Sequence, residues 1–218
     1  MMDKVVKLQE LKHLFKDGMT IMMGGFLGCG SAHTIINYLV DLNIKDLTII
    51  TNDTCYPNEG VGKLLSNGQI KKLIASYIGG NADTGRLMNE GKLQAELIPQ
   101  GTLAEKIRAG GSGLGAVITP TGVGTIVEEG KEKLIINNKE YLVELPLKAD
   151  LSILKGTIVD EFGNIFYRGT TKNFNPVMAM AGDVVIVEAE EIVKLGDLDP
   201  DNIHTPGVLV DYVIKELE

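Results

Sequence analysis

Basic residues are in the minority here. Lys and Arg number 21 against 29 Asp and Glu, a formal net charge of −8. Binding to a phosphate backbone needs a clustered basic surplus. The densest basic spot is only Lys71-Lys72, so nucleic acid is not an expected partner. Cysteine is scarce as well. Cys29 and Cys55 make no CxxC pair and no disulfide framework, and both are expected to be small buried hydrophobes. His13, His33 and His204 are far apart, so no metal-ligand spacing appears and no metal is expected.

No apolar run is long and uninterrupted enough for a membrane. Met19–Val40 and Ala109–Val127 lack charge, but Gly24, Gly25, Gly28 and Gly30 break the first. Gly110, Gly111, Gly113, Gly115, Gly122, Gly124 and Pro120 break the second. The opening Met-Met-Asp-Lys carries no export segment. The expectation is a cytoplasmic protein with no membrane association.

What is present is a core and a glycine pattern. Hydrophobic residues make up 44% of the 218 positions, enough for one domain over residues 1–218. The 26 glycines gather where strands should give way to helices. Met19–Met23 reads as a buried strand, Gly24–Gly30 as a loop, and Ser31 as the N-cap of the next helix. Ala32, Ile35, Ile36, Leu39 and Val40 make that helix's apolar stripe. Leu47–Ile50, Leu73–Tyr77 and Ala95–Ile98 read as strands; Pro57–Leu65 and Asp83–Asn89 read as helices. Thr102 and Glu105 have the spacing of a capping box, and Gly110–Gly115 should stop the helix they begin.

The second half changes character. Lys133–Ile136 and Glu140–Leu145 flank Asn137-Asn138, a hairpin signal. Leu151–Lys155, Ile165–Tyr167 and Val184–Glu188 read as strands, with a short helix at Pro176–Ala181. The fold class is therefore α/β: an open, mostly parallel sheet flanked by helices, with a mixed or antiparallel elaboration in the second half.

Nucleotide motifs fail. The pairs Gly28/Gly30, Gly60/Gly62, Gly113/Gly115 and Gly122/Gly124 do not extend to G-x-G-x-x-G, and Gly62-Lys63 lacks the rest of a P-loop. Topology is more informative. In an open parallel sheet, ligands sit beyond the carboxyl ends of the strands. Gly24–Ser31, Thr51–Asn58, Gly79–Asp83 and Pro99–Thr102 all belong to that edge. Backbone N–H groups there can meet an anion, and the Gln100 amide can donate to a developing oxyanion. Asp53 reads as a turn residue, and Glu188, Glu190 and Glu191 read as a solvated strand end.

Asp17-Gly18-Met19-Thr20-Ile21-Met22-Met23-Gly24-Gly25-Phe26-Leu27-Gly28-Cys29-Gly30 resembles the N-terminal signature of family I CoA-transferase alpha subunits. That signature normally ends in Pro two residues later, where this chain has Ala32. Pro99–Glu105, Arg108–Gly113, Thr119–Thr125, Gly169–Pro176 and Val185–Glu191 fit the same family in order.

The resemblance implies the family's isomerase-like α/β fold and a ping-pong transfer of CoA between a short-chain acyl-CoA and a carboxylate such as acetate, butyrate or acetoacetate. The intermediate is a glutamyl-CoA thioester whose glutamate belongs to a beta subunit, in a Ser-Glu-Asn-Gly stretch. This chain has no Glu-Asn-Gly; Asn58-Glu59-Gly60 and Asn89-Glu90-Gly91 reverse the order. The resemblance therefore implies a heteromer, two chains of each kind, with no tightly bound cofactor and with coenzyme A as substrate. Gln100 takes the family's oxyanion role, and Gly24, Gly25, Phe26, Leu27, Gly28, Cys29 and Gly30 form the loop assigned to CoA. Ala109–Val127, apolar and glycine-rich, is expected to contribute to the subunit interface. The competing reading is a non-catalytic ligand-binding or regulatory protein on the related isomerase-like fold.

Overall fold

The structure, a computed structural model, describes residues 3–217. Its first half alternates as the sequence pattern requires. After a 3-10 turn at Leu8–Leu14 come β1 (Thr20–Met23), α1 (His33–Leu42), β2 (Leu47–Thr51), α2 (Val61–Ser66), β3 (Ile70–Ala75), α3 (Ala82–Asn89), β4 (Gln94–Leu97) and α4 (Gln100–Ser112). The second half holds β5 (Val117–Thr119), β6 (Lys133–Ile136), β7 (Lys139–Glu144), β8 (Ala149–Asp160), β9 (Ile165–Phe166), α5 (Asn175–Met178), β10 (Gly182–Val193) and β11 (Tyr212–Lys215).

The large sheet has the order β11-β10-β8-β1-β2-β3-β4, parallel throughout, with β9 antiparallel on β8. From β1 the chain winds outward in one direction through β2, β3 and β4. It later returns to the other side of β1 through β8 and β10. The winding reverses between β1 and β8, which is where open α/β sheets form a crevice.

Two apolar clusters cover the two faces. Ile21, Ile35, Ile36, Leu39, Ile49, Leu64 and Leu73 belong to one, and Met22, Ile50, Leu103, Ile107, Leu154 and Val187 to the other. Consecutive residues of β1 and β2 thus enter opposite clusters, so these strands read as continuous apolar runs.

The small sheet, β5-β7-β6, is antiparallel. Its hairpin turns on Asn137 and Asn138 at φ 51° and 59°, the left-handed pair that an asparagine dipeptide tolerates. Glu144 on β7, itself buried, ties this sheet to α4 through Lys106 at 2.9 Å and also binds Lys131 at 2.6 Å. Burial, the largest single influence, pushes its carboxyl up, but the hydrogen bonds and charges of the two lysines together hold it below the ordinary carboxylate range.

Several local expectations need correction. Ser31 does not cap α1: its N–H is bonded to the Gly28 carbonyl, and the helix begins at His33 after Ala32. The cap comes from the far strand β10, where a Glu188 carboxylate oxygen accepts the Ile35 N–H at 3.0 Å. Glu188 is therefore not a solvated strand end but fully buried. It pairs with Lys155 of β8 at 3.2 Å, and Lys155 also reaches Glu216. Thr102 and Glu105 form no capping box, because α4 already begins at Gln100 after Pro99.

α4 does stop within the expected Gly110–Gly115 stretch: it continues to Ser112 and ends on Gly113 at φ 70°. Gly110 and Gly111 are glycine because α4 lies directly on its neighbours. A Cβ would sit 1.9 Å from the Leu147 carbonyl oxygen at the first and 2.4 Å from Met180 Cβ at the second. The helix expected from Pro57 starts only at Val61, after Gly60 turns the chain at φ 47°.

Burial pushes the Glu188 carboxyl up, against the pull of Lys155 and the Ile35 N–H. Truncation to alanine strands a buried ammonium and an unsatisfied helix N–H. Glu188→Ala should cost about 3 kcal/mol in urea unfolding, the lower end for a broken buried pair because Glu216 remains. Glu188→Gln, which keeps an acceptor for Ile35, should lose less. An alanine variant as stable as the parent would remove this contact from the framework.

Candidate functional site

Four loops meet beyond the carboxyl ends of β1 to β4. Phe26 and Leu27 follow β1, Asn52 and Asp53 follow β2, Ser76 and Tyr77 follow β3, and Gln100 follows β4. Together they line an open cavity of about 420 Å³. Gln100 is the first residue of α4, where no preceding turn competes for its side chain. Its amide nitrogen donates to Asn52 Oδ1 at 2.7 Å. A carboxamide nitrogen carries two hydrogens, so a second N–H remains for a ligand.

Asn52 was not picked out by sequence reasoning, yet it organises this wall. It is buried. Its Oδ1 also accepts from Ser76 Oγ at 3.1 Å, and its Nδ2 donates to Asp53 Oδ2 at 2.7 Å. Its carbonyl takes the N–H groups of Ser76 and Tyr77. A polar residue directly after an apolar strand was the available signal; the Thr51–Asn58 segment holds several, and spacing does not choose among them. Asp53 makes the expected turn, accepting the Cys55 N–H at 2.7 Å. It also reaches across to the Leu27 N–H at 2.9 Å, joining the β1 and β2 loops.

The glycine loop differs from an open cradle of N–H groups. Gly24 N–H bonds the Ile153 carbonyl, and Gly25 N–H bonds Asn173 Oδ1. Phe26 and Cys29 exchange two backbone hydrogen bonds, at 2.9 and 3.0 Å, around Leu27 and Gly28 at φ 47° and 86°. With Leu27 held by Asp53 and Ser31 by Gly28, most of the loop's donors are already engaged. What the loop offers outward is side chain: Phe26 is 43% exposed, Leu27 is half-buried, and both line the cavity.

Each of the loop's four glycines has a side-chain atom of the fold within 3 Å of where its Cβ would lie. A Cβ on Gly24 would lie 1.8 Å from Asn175 Oδ1, and one on Gly30 would lie 2.7 Å from Asn173 Nδ2. Ala32, where the family signature has proline, sits at φ −81°, close to the angle proline imposes, so the departure leaves the backbone course intact.

Glu59 is also a carboxylate near this loop, 2.7 Å from where a Gly28 Cβ would lie, but it does not line the cavity. Among the described residues lining it, Asp53 is the only carboxylate, and it accepts three hydrogen bonds. The carboxyl edge of the parallel sheet thus presents one fixed amide donor, Gln100, beside the apolar and aromatic side chains of Phe26, Leu27 and Tyr77.

Residues 6–216 match the Coenzyme A transferase family, and the chain belongs to it. It is 61% identical to the acetoacetyl-CoA:acetate/butyrate CoA transferase alpha subunit of Clostridium acetobutylicum, over 99% of each chain. It is 47% identical to the acetate CoA-transferase subunit alpha of Escherichia coli K12, over 100% of this chain and 99% of that one. In structure it superposes on an acyl-CoA transferase of E. coli O157:H7, solved as a thioester complex with CoA, with TM-score 0.84 and 25% identity; it covers 97% of this chain and 47% of that longer one. The glutaconate coenzyme A-transferase of Acidaminococcus fermentans shares the fold, with TM-score 0.82 and 21% identity, over 97% of this chain and 75% of that one.

The two cysteines are not alike, which corrects the expectation that both are buried. Cys29 is exposed on the loop with its thiol 3.1 Å from Thr170 Oγ1, whereas Cys55 is buried. Burial pushes the Cys55 thiol up to about 11. Iodoacetamide at about pH 8 should therefore label Cys29 and spare Cys55 in the native chain, as read by peptide mass mapping. Equal labelling would contradict the packing of the β2–α2 segment.

Proposed function

We propose that the chain is the alpha subunit of a heteromeric CoA-transferase that moves CoA between a short-chain acyl-CoA and a carboxylate such as acetate, butyrate or acetoacetate. The observation that carries this reading is the Gln100 amide, held by Asn52 at the sheet edge with an N–H to spare, in a cavity walled by Phe26, Leu27 and Tyr77. The named relatives act on these same acids.

In this reading the nucleophile is a glutamate of a beta subunit. Its carboxylate attacks the thioester carbonyl, expels CoA thiolate and leaves a mixed acyl–glutamyl anhydride. The thiolate then attacks the glutamyl carbonyl and releases the acyl group as its carboxylate. A second carboxylate reverses both steps. Each attack places negative charge on a carbonyl oxygen, and a fixed N–H donor stabilises it more as charge develops. Gln100 supplies that donor. The one carboxylate lining the cavity among the described residues, Asp53, is engaged in holding the Leu27 and Cys55 N–H groups and the Asn52 amide.

The Gly24–Gly30 loop contributes the apolar wall for the acyl-CoA. The outer surface fits a partner: Leu114, Ile118, Ile126 and Ile135 are exposed on and beside the small sheet, partly in the expected Ala109–Val127 segment. Two chains of each kind is the assembly we infer. A cytoplasmic location belongs to the same reading; among the described residues no helix is long and apolar enough to cross a membrane.

Gln100→Ala in the assembled enzyme should lower kcat by about 10²–10³, or roughly 3–4 kcal/mol, with little change in CoA binding. A near-normal kcat would remove Gln100 from the mechanism.

The isolated chain should transfer no CoA from acetyl-CoA or butyryl-CoA to acetate or acetoacetate, and mixing with its partner should restore transfer. Robust turnover by the chain alone would defeat the split-site reading and return the search for a nucleophile to Glu59 and Glu90, Glu188 being buried in the framework.

A further inference from the structure

The stretch from Thr170 to Asn175, the first residue of α5, lines no part of the cavity, yet its two asparagines grip the glycine loop. Asn175 is fully buried and forms the base. Its Oδ1 accepts the Lys155 N–H at 3.1 Å, and its Nδ2 donates to the carbonyls of Gly30 and Thr171 at 3.0 and 2.8 Å. Asn173 is half-buried and spans the loop's two ends. Its Oδ1 accepts the Gly25 N–H at 3.0 Å and that of Phe174 at 2.6 Å. Its Nδ2 donates to the Cys29 carbonyl at 3.2 Å and the Thr170 carbonyl at 2.7 Å.

One carboxamide thus bonds Gly25, just before the Phe26–Cys29 hairpin tip, and Cys29, the tip's last residue. The tip itself is short and strained, with Leu27 at φ 47°, a region that side chains other than glycine rarely occupy. Such a backbone persists only where its surroundings hold it. Asp53 holds the crown of the tip at Leu27, and Asn173 holds its feet.

We propose that Asn173 is a positioning residue for acyl-CoA binding: its carboxamide fixes the Phe26–Cys29 tip so that Phe26 and Leu27 face Gln100 across the cavity. The proposal rests on the reading that this loop walls the acyl-CoA site. It separates two tasks. Gln100 acts on the developing charge and governs kcat. Asn173 acts only through the loop, on groups that contact substrate equally before and during reaction, and governs KM.

The donor side of Asn173 faces two carbonyl oxygens, which makes aspartate an informative replacement. Ionised, it presents a lone pair where a donor is needed. Protonated, its O–H can take the place of the amide N–H.

The test uses the complex with its partner chain and compares the parent, Gln100→Ala, Asn173→Ala and Asn173→Asp with butyryl-CoA as donor. Both Asn173 variants should raise KM for butyryl-CoA by about tenfold or more with kcat nearly unchanged. The Asn173→Asp defect should shrink as pH is lowered from about 8 toward 5, near the carboxylic range, while that of Asn173→Ala should not. Hydrogen exchange at the Phe26 and Cys29 amides should be faster in Asn173→Ala, whether or not the complex turns over. An unchanged KM with unchanged exchange overturns the proposal even if Gln100→Ala lowers kcat as expected. A loss confined to kcat, or an Asn173→Asp defect without pH dependence, also overturns it. If the parent complex transfers no CoA, the functional reading falls and this role falls with it, whatever the exchange shows.

Discussion

The structure depends on what occupies the space beside β1 as the strand ends. A Cβ on Gly24 would coincide with the Asn175 carboxamide, and that carboxamide is bonded to the backbone of β8 next door. One buried polar side chain therefore substitutes for the ladder that β1 and β8 lose as they diverge. A buried amide is costly unless all its bonds are made, and Asn175 makes three. Satisfied in this way, it fixes where the glycine loop leaves the sheet, and hence where Phe26 and Leu27 lie relative to Gln100. The reversal of strand order between β1 and β8 is what leaves room for such a plug.

The Lys155–Glu188 pair extends the same junction inward. Lys155 gives its backbone N–H to Asn175 and its ammonium to Glu188, and Glu188 in turn caps α1. The first helix after the glycine loop is thus begun by a strand that lies more than a hundred residues later. A loop that must hold an unusual backbone gains from this arrangement. Both its entry, at Gly24, and its exit, at α1, are pinned to β8 and β10 rather than to residues of its own.

Much of the fold was legible because its signals are local. The apolar runs of β1 and β2, the α1 stripe of Ile35, Ile36 and Leu39, and the Asn137-Asn138 turn each follow from a few neighbouring residues. Failures fell where a distant group does the local job. Ser31 looked like a cap, but the cap is Glu188. Glu188 looked solvated because its lysine stands on another strand. The site divides in the same way. Gln100 was placed by topology and by resemblance to a family. Asn52, Asn173 and Asn175 each bond at least one partner that lies far along the chain, at separations of 48, 148 and 20 residues, and no spacing in the chain encodes those pairings.

Those asparagines also explain why a subunit proposed to bring no nucleophile should still be built so rigidly. A donor stabilises a transient oxyanion only to the extent that it need not reorient when charge appears. A glutamine at the first turn of an exposed helix would ordinarily sample several rotamers. Here the Asn52 side-chain oxygen, Oδ1, accepts one of its N–H groups, and Asn52 is itself tied to Asp53 and to the Ser76 hydroxyl. Asp53 carries the constraint onward to Leu27 of the glycine loop. The proposed oxyanion donor and the proposed acyl-CoA wall are therefore one connected hydrogen-bonded unit, anchored through Gly25 and Gly30 to the asparagines that follow β9. Movement of the wall would be felt at Asn52, and movement of Gln100 at the loop. A partner chain bringing a carboxylate to this face would then meet one preset surface rather than two independent ones, which suits a reaction in which the attacking group and the stabilising group arrive on different chains.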